Sequence, residues 1–320
     1  MSSIRTKRII KDFRDAVKAG LVDGRNGIYM RLQDDVIRAA IVGPDGTPYE
    51  GGFFFFDITI PLDYPNKPPH VKFGTLNPRV RFNPNLYTDG KVCLSLLGTW
   101  HGPAWTACCS ISTVMLSIQA LVLSENPLRN EPGFETASEE RLLKYDLVVE
   151  YYTYSVAVCD MLQRAPTQFE VFHDELSIHV YNNFDKYIER IETLRKKIVE
   201  NAYLYMDYSK GILEAGVYSM CVKLDFDLLL TKLISMKEKM DIAIAKPDKK
   251  NIAERCDSLS MLNSYELISH YATLLDIPLI KIDTDTECGA GKEEAIDFKK
   301  PLKSIKELLR DIETVTDPMI

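Results

Sequence analysis

A phenylalanine-rich segment, residues 53–60, places the tightest limit on how this chain folds. Its even-numbered positions are all apolar, while Asp57 and Thr59 interrupt the odd-numbered set. Alternation with a period of two is typical of a strand with a buried face. Gly51 and Gly52 supply a tight turn before it, and four prolines between positions 61 and 69 exclude a central strand after it. The sequence therefore predicts a short strand that ends in a stiff loop.

Three further strands are predicted around this one, because clusters of Gly, Pro and Asp separate short runs that favour strands. They span residues 28–33, 36–43 and 70–73. One wholly apolar face suits a short antiparallel sheet that helices cover on one side. The predicted fold class is therefore α+β, with a four-stranded antiparallel sheet and flanking helices.

Apolar residues at helical spacing predict the flanking helices. The expected ranges are 4–19, 110–124, 137–163 and 168–200. The apolar stripe of the second helix is expected to lie in the core and contains Ile111, Val114, Met115, Ile118, Leu121 and Val122. Three acidic residues are expected in contact with solvent: Asp146, Glu150 and Asp160.

The chain beyond residue 200 is interpreted as a helical extension. Apolar periodicity predicts helices over 201–246 and 252–279, and residues 283–294 have the composition of a flexible linker. A capping box formed by Ser304 and Glu307 predicts one more helix. We therefore expect a core at residues 1–200 and a helical C-terminal extension at 201–320, which selects partners and does not complete the core.

Composition restricts the compartment. The 320 residues are 46% hydrophobic and 10% aromatic, which is enough for a substantial core. Seven irregularly spaced cysteines indicate neither a disulfide framework nor a zinc site. Residues 1–13 contain no apolar segment of the kind found in secretory signals. We therefore expect a reducing compartment, the cytoplasm first, with the nucleus as a second candidate.

Charge and hydropathy argue against nucleic-acid and membrane partners. The net charge of −7 is the sum of +2 over residues 1–135 and −9 over residues 136–320, and no large basic domain is present. The longest nearly apolar stretch, residues 114–123, is too short to cross a bilayer. Basic residues cluster on the first predicted helix, where a solvated surface is the simplest interpretation. They are Arg5, Lys7, Arg8, Lys11, Arg14 and Lys18.

The stretch NPNLYTDGKVC, residues 83–93, places a cysteine eight residues after Asn85 and past a turn signal at Asp89-Gly90. A lone cysteine is most often a small buried hydrophobe. Here it stands among longer motifs, which are PYEGGFFFF (48–56), PLDYPNKPPHVKF (61–73), CLSLLGTW (93–100), GPAW (102–105), ENP (125–127) and NEPGFE (130–135). In order and spacing these motifs resemble the ubiquitin-conjugating enzymes, most closely the large Z-type members.

This resemblance implies that Cys93 accepts ubiquitin or a related modifier as a thioester from an activating enzyme and passes it to a substrate lysine. The thiolate is the attacking form of a cysteine. A thioester needs positioning and oxyanion stabilisation more than acid–base help. Asn85 matches the family asparagine that either donates to the oxyanion or braces the loop, and a simple turn cap is the alternative. No metal or organic cofactor is implied.

The resemblance extends to other positions with weaker matches. Glu131 best matches the acidic or polar gate residue that desolvates and orients the acceptor lysine, with Asn130 as the alternative. Asn83 stands where the family usually has histidine, which puts the bracing of the loop in doubt. Tyr87 and Ser95 flank the site and are interpreted as packing residues.

Partners and rival functions follow from the same comparison. The family's first helix receives the activating enzyme, so Lys7, Arg8 and Lys11 are candidate contacts. A ubiquitin ligase is a further candidate partner, although Asn66 replaces the aromatic residue that many ligase-binding members carry. One alternative is a ubiquitin- or ligase-binding scaffold with weak transfer activity. Another is a cysteine hydrolase that uses His101, disfavoured because no third group is visible to orient the histidine.

Overall fold

The computed structural model describes residues 2–33, 36–201 and 211–245 of the chain. The chain divides into two compact units, Met1–Ile268 and Ser269–Ile320, and every described residue lies in the first. The predicted helix at 252–279, the linker at 283–294 and the capping box at Ser304 lie outside the described residues. None of the described helices is both long enough and apolar enough to cross a membrane.

The predicted four-stranded sheet is confirmed. Its strands are β1 (Ile28–Gln33), β2 (Val36–Val42), β3 (Phe53–Thr59) and β4 (His70–Phe73), in sequence order and all antiparallel. The β2–β3 register places Ala40 opposite Phe55. All four consecutive phenylalanines at 53–56 have 0% exposure, so both faces of β3 are buried.

The first helix, α1 (Ser2–Lys18), precedes the sheet as predicted. The second, α2 (Ile111–Ser117), begins at a capping box between Ser110 and Thr113 and continues into a π-helical turn, Ile118–Val122. The wider turn changes the helical repeat. Leu121 is consequently 60% exposed, and the prediction that it lies in the core is wrong.

The later helices follow the predicted ranges with one interruption. A continuous helical segment consists of α3 (Glu139–Tyr152), a π-helical stretch (Thr153–Asp160) and α4 (Met161–Arg164). The range 168–200 is divided into a 3₁₀ segment (Thr167–Phe172), α5 (His173–Asn182) and α6 (Phe184–Glu200). The break falls at Asn183, whose amide Nδ2 donates to the His179 carbonyl and satisfies the end of α5.

Helical segments cover both faces of the sheet, so the expectation of a single covered face is wrong. On the face of Phe54, a Cβ atom at Gly52 would lie 3.0 Å from the Phe54 ring, 2.6 Å from Thr153 and 3.2 Å from Ala157, so the π-helical stretch packs on this face. The Phe55 ring stacks 4.7 Å from that of Phe169. Successive strand side chains point to opposite faces, so Phe169 covers the second face. Phe55 could not face water without a large exposed apolar surface, and the segment after α4 removes it from solvent.

Acidic residues of α3 are also less exposed than predicted. Glu150 is 5% exposed and pairs with Arg190 of α6 at 3.2 Å. Burial raises the pKa of Glu150, although Arg190 and Lys197 oppose the rise. Burial likewise raises the pKa of Asp146 to about 7. The expectation that Asp146 and Glu150 are solvated is therefore wrong, because α6 packs over them.

The chain after residue 210 does not form one helix as predicted. A hairpin of β5 (Ile212–Glu214) and β6 (Cys221–Lys223) precedes α7 (Phe226–Ala245). The core therefore does not end at the expected boundary of residue 200, while a separate role for the extension stays a prediction. The buried residues that join the same hydrophobic cluster as the sheet are Leu213, Ala215, Met220, Val222, Phe226, Leu229, Leu233 and Met236.

We predict that Leu229→Ala destabilises the whole folded unit, because Leu229 is 2% exposed in the shared core. The expected loss is about 2–5 kcal/mol in the free energy of unfolding, measured by urea titration. Leu228→Ala is the matched control, since its side chain is 51% exposed on the same helix. If Leu229→Ala leaves the midpoint of the urea transition unchanged, α7 contributes nothing to the stability of the core.

Candidate active site

Asn85 and Cys93 are partners across a narrow loop. The Cys93 amide donates to the Asn85 carbonyl at 2.8 Å, and the Asn85 side-chain Nδ2 donates to the Cys93 carbonyl at 2.7 Å. Between them, the Tyr87 amide donates to the Lys91 carbonyl at 2.9 Å. The eight-residue spacing seen in the sequence is therefore the length of chain that returns Cys93 to Asn85.

The turn of this loop requires glycine. Gly90 has a φ of 93°, a backbone conformation that residues other than glycine rarely adopt. A Cβ atom at this position would lie 2.9 Å from the Lys72 side chain and 3.0 Å from the Phe73 carbonyl oxygen. The loop can therefore pass close to β4 only because position 90 has no side chain.

Asn83 fixes the start of the loop to the core. Its side chain is 0% exposed, and both its oxygen and its nitrogen form hydrogen bonds. Its Oδ1 accepts from the Asn85 amide at 2.8 Å, and its Nδ2 donates to the Tyr49 hydroxyl at 2.9 Å and to the Val122 carbonyl at 2.7 Å. The doubt about bracing at this position is answered, because Asn83 itself braces the loop.

The Thr99 hydroxyl fixes the chain on both sides of Cys93. It donates to the Val92 carbonyl at 2.8 Å and accepts from the Leu94 amide at 2.9 Å. The backbone around the cysteine is thus fixed by a residue six positions later. Sequence reasoning missed Thr99, because a lone threonine in a loop has no pattern that distinguishes it.

A cavity of about 470 Å³ lies beside this loop. Cys93 is only 1% exposed, so a reacting group must approach through its neighbours. The Asn85 side chain reaches the cavity wall, and its Oδ1 is buried with no hydrogen-bond partner among the described residues. The lining residues are Asn85, Leu94, Ser95, Trp100, His101, Leu121, Val122, Arg129, Asn130, Pro132 and Glu135.

Glu131 is not among the residues that line this cavity, whereas its neighbours Asn130 and Pro132 are. Its carboxylate accepts a hydrogen bond from the Tyr218 hydroxyl. Burial, together with this bond, raises the pKa of Tyr218. The structure therefore brings Cys93 and Asn85 together and directs Glu131 to the C-terminal hairpin, a contact that no local sequence pattern indicates.

Glu135 is the acidic residue that lines the cavity, and sequence reasoning missed it. Backbone N–H groups, its own and that of Gly133, donate to its carboxylate and lower the pKa of Glu135. The two residues predicted to pack differ in their surroundings. Tyr87 lies 3.8 Å from the Arg81 guanidinium, while Ser95 lines the cavity.

His101 also lines the cavity, and its ring lies 6.5 Å from that of Trp100, but no hydrogen bond to the ring is found within the described parts of the chain. A hydrolase would need a histidine oriented by a third group and hydrogen-bonded to the cysteine. The geometry therefore favours a site that positions a reactive acyl group over one that relies on a Cys–His pair. Among the described residues, no group of three His, Cys, Asp or Glu side chains could hold a metal ion.

Comparisons with known proteins agree on one family. A family model described as ubiquitin-conjugating enzyme matches residues 8–146. Human "Ubiquitin-conjugating enzyme E2 Z" is 55% identical over 129 residues, which are 40% of this chain and 36% of that protein. The Caenorhabditis elegans "Probable ubiquitin-conjugating enzyme protein 17" is 42% identical over 178 residues, 52% of this chain and 24% of that protein.

One solved structure extends the comparison. The E2 domain of a Toxoplasma gondii ubiquitin conjugating enzyme has a TM-score of 0.37 and 28% identity, and the match covers 48% of this chain and 98% of that one. The two curated relatives are both longer than the segment they share with this chain. The chain matches only 36% and 24% of their lengths.

We predict that Asn83→Ala weakens the folded state, because it leaves the Asn85 amide and the Val122 carbonyl buried without partners. The expected loss is about 2–3 kcal/mol in the free energy of unfolding. Asn77→Ala is the control, since Asn77 also precedes a proline and accepts from the Arg79 amide, but at an exposed turn. Equal losses of unfolding free energy in urea titrations of the two variants would mean that the buried Asn83 hydrogen bonds stabilise the fold no more than one exposed turn bond.

Proposed function

The chain belongs to the ubiquitin-conjugating enzyme family over residues 8–146, and from this premise we propose that it carries ubiquitin, or a ubiquitin-like modifier, as a thioester on Cys93. The observation that carries the proposal is the double hydrogen bond between Asn85 and Cys93. It fixes the backbone of the nucleophile beside a cavity large enough for an extended peptide end. The overall reaction transfers the modifier to a substrate lysine.

In the first step, the Cys93 thiolate attacks the carbonyl carbon of the modifier's thioester on the activating enzyme. A new carbon–sulfur bond forms on Cys93, and the activating enzyme's thiolate leaves. One thioester replaces another, so no oxidant or metal is needed. Because Cys93 is 1% exposed, the modifier's terminus reaches the sulfur through the adjacent cavity.

In the second step, a neutral lysine amine attacks the same carbonyl carbon, an amide carbon–nitrogen bond forms, and the carbon–sulfur bond to Cys93 breaks. The proton that the amine loses goes to the departing thiolate. Negative charge develops on the carbonyl oxygen in the transition state, and a fixed donor there lowers the barrier. The Asn85 amide nitrogen carries two hydrogens, of which one is bonded to the Cys93 carbonyl. We assign the second hydrogen to the oxyanion, so that bracing and donation are two roles of one side chain.

We predict that Cys93→Ser traps the modifier as an oxyester, which resists reductant and is cleaved by hydroxide. The serine oxygen is a poorer leaving group than the thiolate, so the adduct should persist. Purified chain, ubiquitin, ATP and an activating enzyme are mixed and resolved with and without thiol. The exposed Cys108 provides the control, because Cys108→Ser should charge as the native chain does.

An adduct that remains thiol-sensitive in Cys93→Ser would show that another cysteine is the acceptor. No adduct on the native chain with any activating enzyme tested would reject transfer activity. That result would favour the alternative function, a scaffold that binds ubiquitin or a ligase but forms no thioester with ubiquitin.

We further propose that an activating enzyme binds the basic surface of α1. Support comes from the exposed positions of Lys7, Lys11 and Arg14. Arg8 has a different role, because its guanidinium bonds Asp12 and the carbonyls of Ala107 and Cys109. The docking surface proposed here therefore excludes Arg8, whose replacement would loosen the loop at 107–109.

Cellular location and the ligase partner remain proposals of the same kind. The free thiol of Cys93 fits a reducing compartment, so we propose the cytoplasm, with the nucleus as a second location. A ligase is proposed at the loops around Leu62 and Trp105, since the Trp105 indole donates to the Pro65 carbonyl and joins the two loops. Leu62 is 83% exposed there and is available for an apolar contact.

We predict that reversing Lys7, Lys11 and Arg14 to Glu raises the KM for charging by about tenfold at low salt, with the defect shrinking at high salt. The control reverses Lys186, Lys196 and Lys239, which are exposed on α6 and α7 and give the same change in net charge. Rates of charging are measured over a series of activating-enzyme concentrations. Equal defects in the two triple variants would point to net charge alone.

A further inference from the structure

The C-terminal hairpin reaches the active-site loops through one tyrosine. Tyr218 lies in the turn between β5 and β6, and buried Leu213 and Val222 anchor the hairpin's strands in the core. The Ala215 amide donates to the Met220 carbonyl at 3.0 Å and closes the turn that carries Tyr218. The position of Tyr218 is thus fixed by the body of the protein.

Tyr218 first contacts the segment that leads into the active-site loop. The Arg81 guanidinium lies between two rings, 3.8 Å from the Tyr87 centroid and 4.3 Å from the Tyr218 centroid. The same guanidinium donates to the Pro84 carbonyl, directly before Asn85. Its Nε is buried without a hydrogen-bond partner among the described residues, so aromatic faces replace water around this cation.

Tyr218 also contacts the loop on the other side of the cavity. Its hydroxyl donates to the Glu131 carboxylate. Glu131 lies between Asn130 and Pro132, both of which line the cavity. Its own amide donates to the Leu128 carbonyl at 3.0 Å, so the loop is fixed at both the backbone and the side chain.

We propose that Tyr218 is a positioning residue for transfer of the modifier to the acceptor lysine. One side chain from the C-terminal extension connects the segment carrying Asn85 to the loop carrying Asn130 and Pro132. The two walls of the cavity therefore keep a constant separation while the amine attacks. Charging does not depend on this connection, because the activating enzyme presents its own thioester. This inference rests on the proposed function.

The role differs from that of a residue that only stabilises the fold. The hydroxyl of Tyr218 acts through Glu131, and its ring acts through Arg81. Removing the hydroxyl alone should release the Glu131 loop and leave the ring sandwich in place. Tyr152 offers the comparison, since it also gives one hydroxyl bond to this hairpin but contacts neither Glu131 nor Arg81 among the described contacts.

The test uses the full chain charged on Cys93 and chased with free lysine in a single turnover. Tyr218→Phe should slow discharge by about 5–10-fold, and Tyr218→Ala by about 100-fold, the cost expected of a small misplacement of reacting groups. Tyr152→Phe should discharge at the native rate. Charging rates should stay within about twofold of native in all three variants, because each leaves Cys93 in place.

A double-mutant cycle separates positioning from general loss of stability. Glu131→Gln weakens the bond that Tyr218→Phe removes, so the double variant should discharge no more slowly than the worse single variant. Multiplying defects would overturn the inference, since Tyr218 and Glu131 would then act independently. So would equal discharge defects in Tyr218→Phe and Tyr152→Phe.

The outcomes also separate this inference from the function on which it rests. A native chain that never charges overturns both. A native chain that charges and discharges to lysine, with Tyr218→Phe and Tyr218→Ala unchanged, overturns the inference and leaves the function standing.

Discussion

The hydrogen bonds of Asn83 are the constraint on which the active site depends. Asn83 is fully buried, and its amide joins the Tyr49 hydroxyl of the core to the Asn85 backbone. Asn85 in turn makes two hydrogen bonds with Cys93. The position of the thiol is therefore set by a short chain of bonds from the core. Buried polar groups of this kind strongly favour one arrangement, because any other leaves them without partners.

The chemistry follows from what this chain of bonds supplies. It fixes the backbone of Cys93 and one amide beside a cavity, and it includes no general base for the thiol. Such an arrangement suits an acyl group that arrives already activated, because positioning and oxyanion stabilisation are then the main requirements. Glu135 adds a carboxylate at the cavity wall, where the N–H of Gly133 favours its charged form.

The C-terminal residues that the structure describes belong to the same body as the site. Leu213 and Val222 of the hairpin and Leu229 of α7 lie in the same hydrophobic cluster as the sheet. The hairpin then brings Tyr218 to both walls of the cavity. A segment interpreted from sequence as an appendage thus contributes to the core and touches the loops where transfer would occur. Its effect on partner choice is a separate matter from this structural contribution.

Local sequence patterns were enough to predict the features that depend on neighbours along the chain. Alternation predicted β3 and helical spacing predicted α1, and the turn signal at Asp89-Gly90 falls in the loop between Asn85 and Cys93. Each of these is a local pattern whose backbone preference is decided within about ten residues. Family resemblance added Cys93 and Asn85 as a pair, and the structure shows them bonded to each other.

The features that join distant parts of the chain arise from tertiary packing, and local sequence patterns did not predict them. The Tyr218–Glu131 bond spans 87 positions, and no periodicity in the sequence records it. Glu150 is buried because α6 packs over it. Leu121 is exposed because of a π-helical turn that the apolar stripe in the sequence did not predict. Such contacts are selected by the packing of whole elements, so the residues that make them carry no local mark of their role.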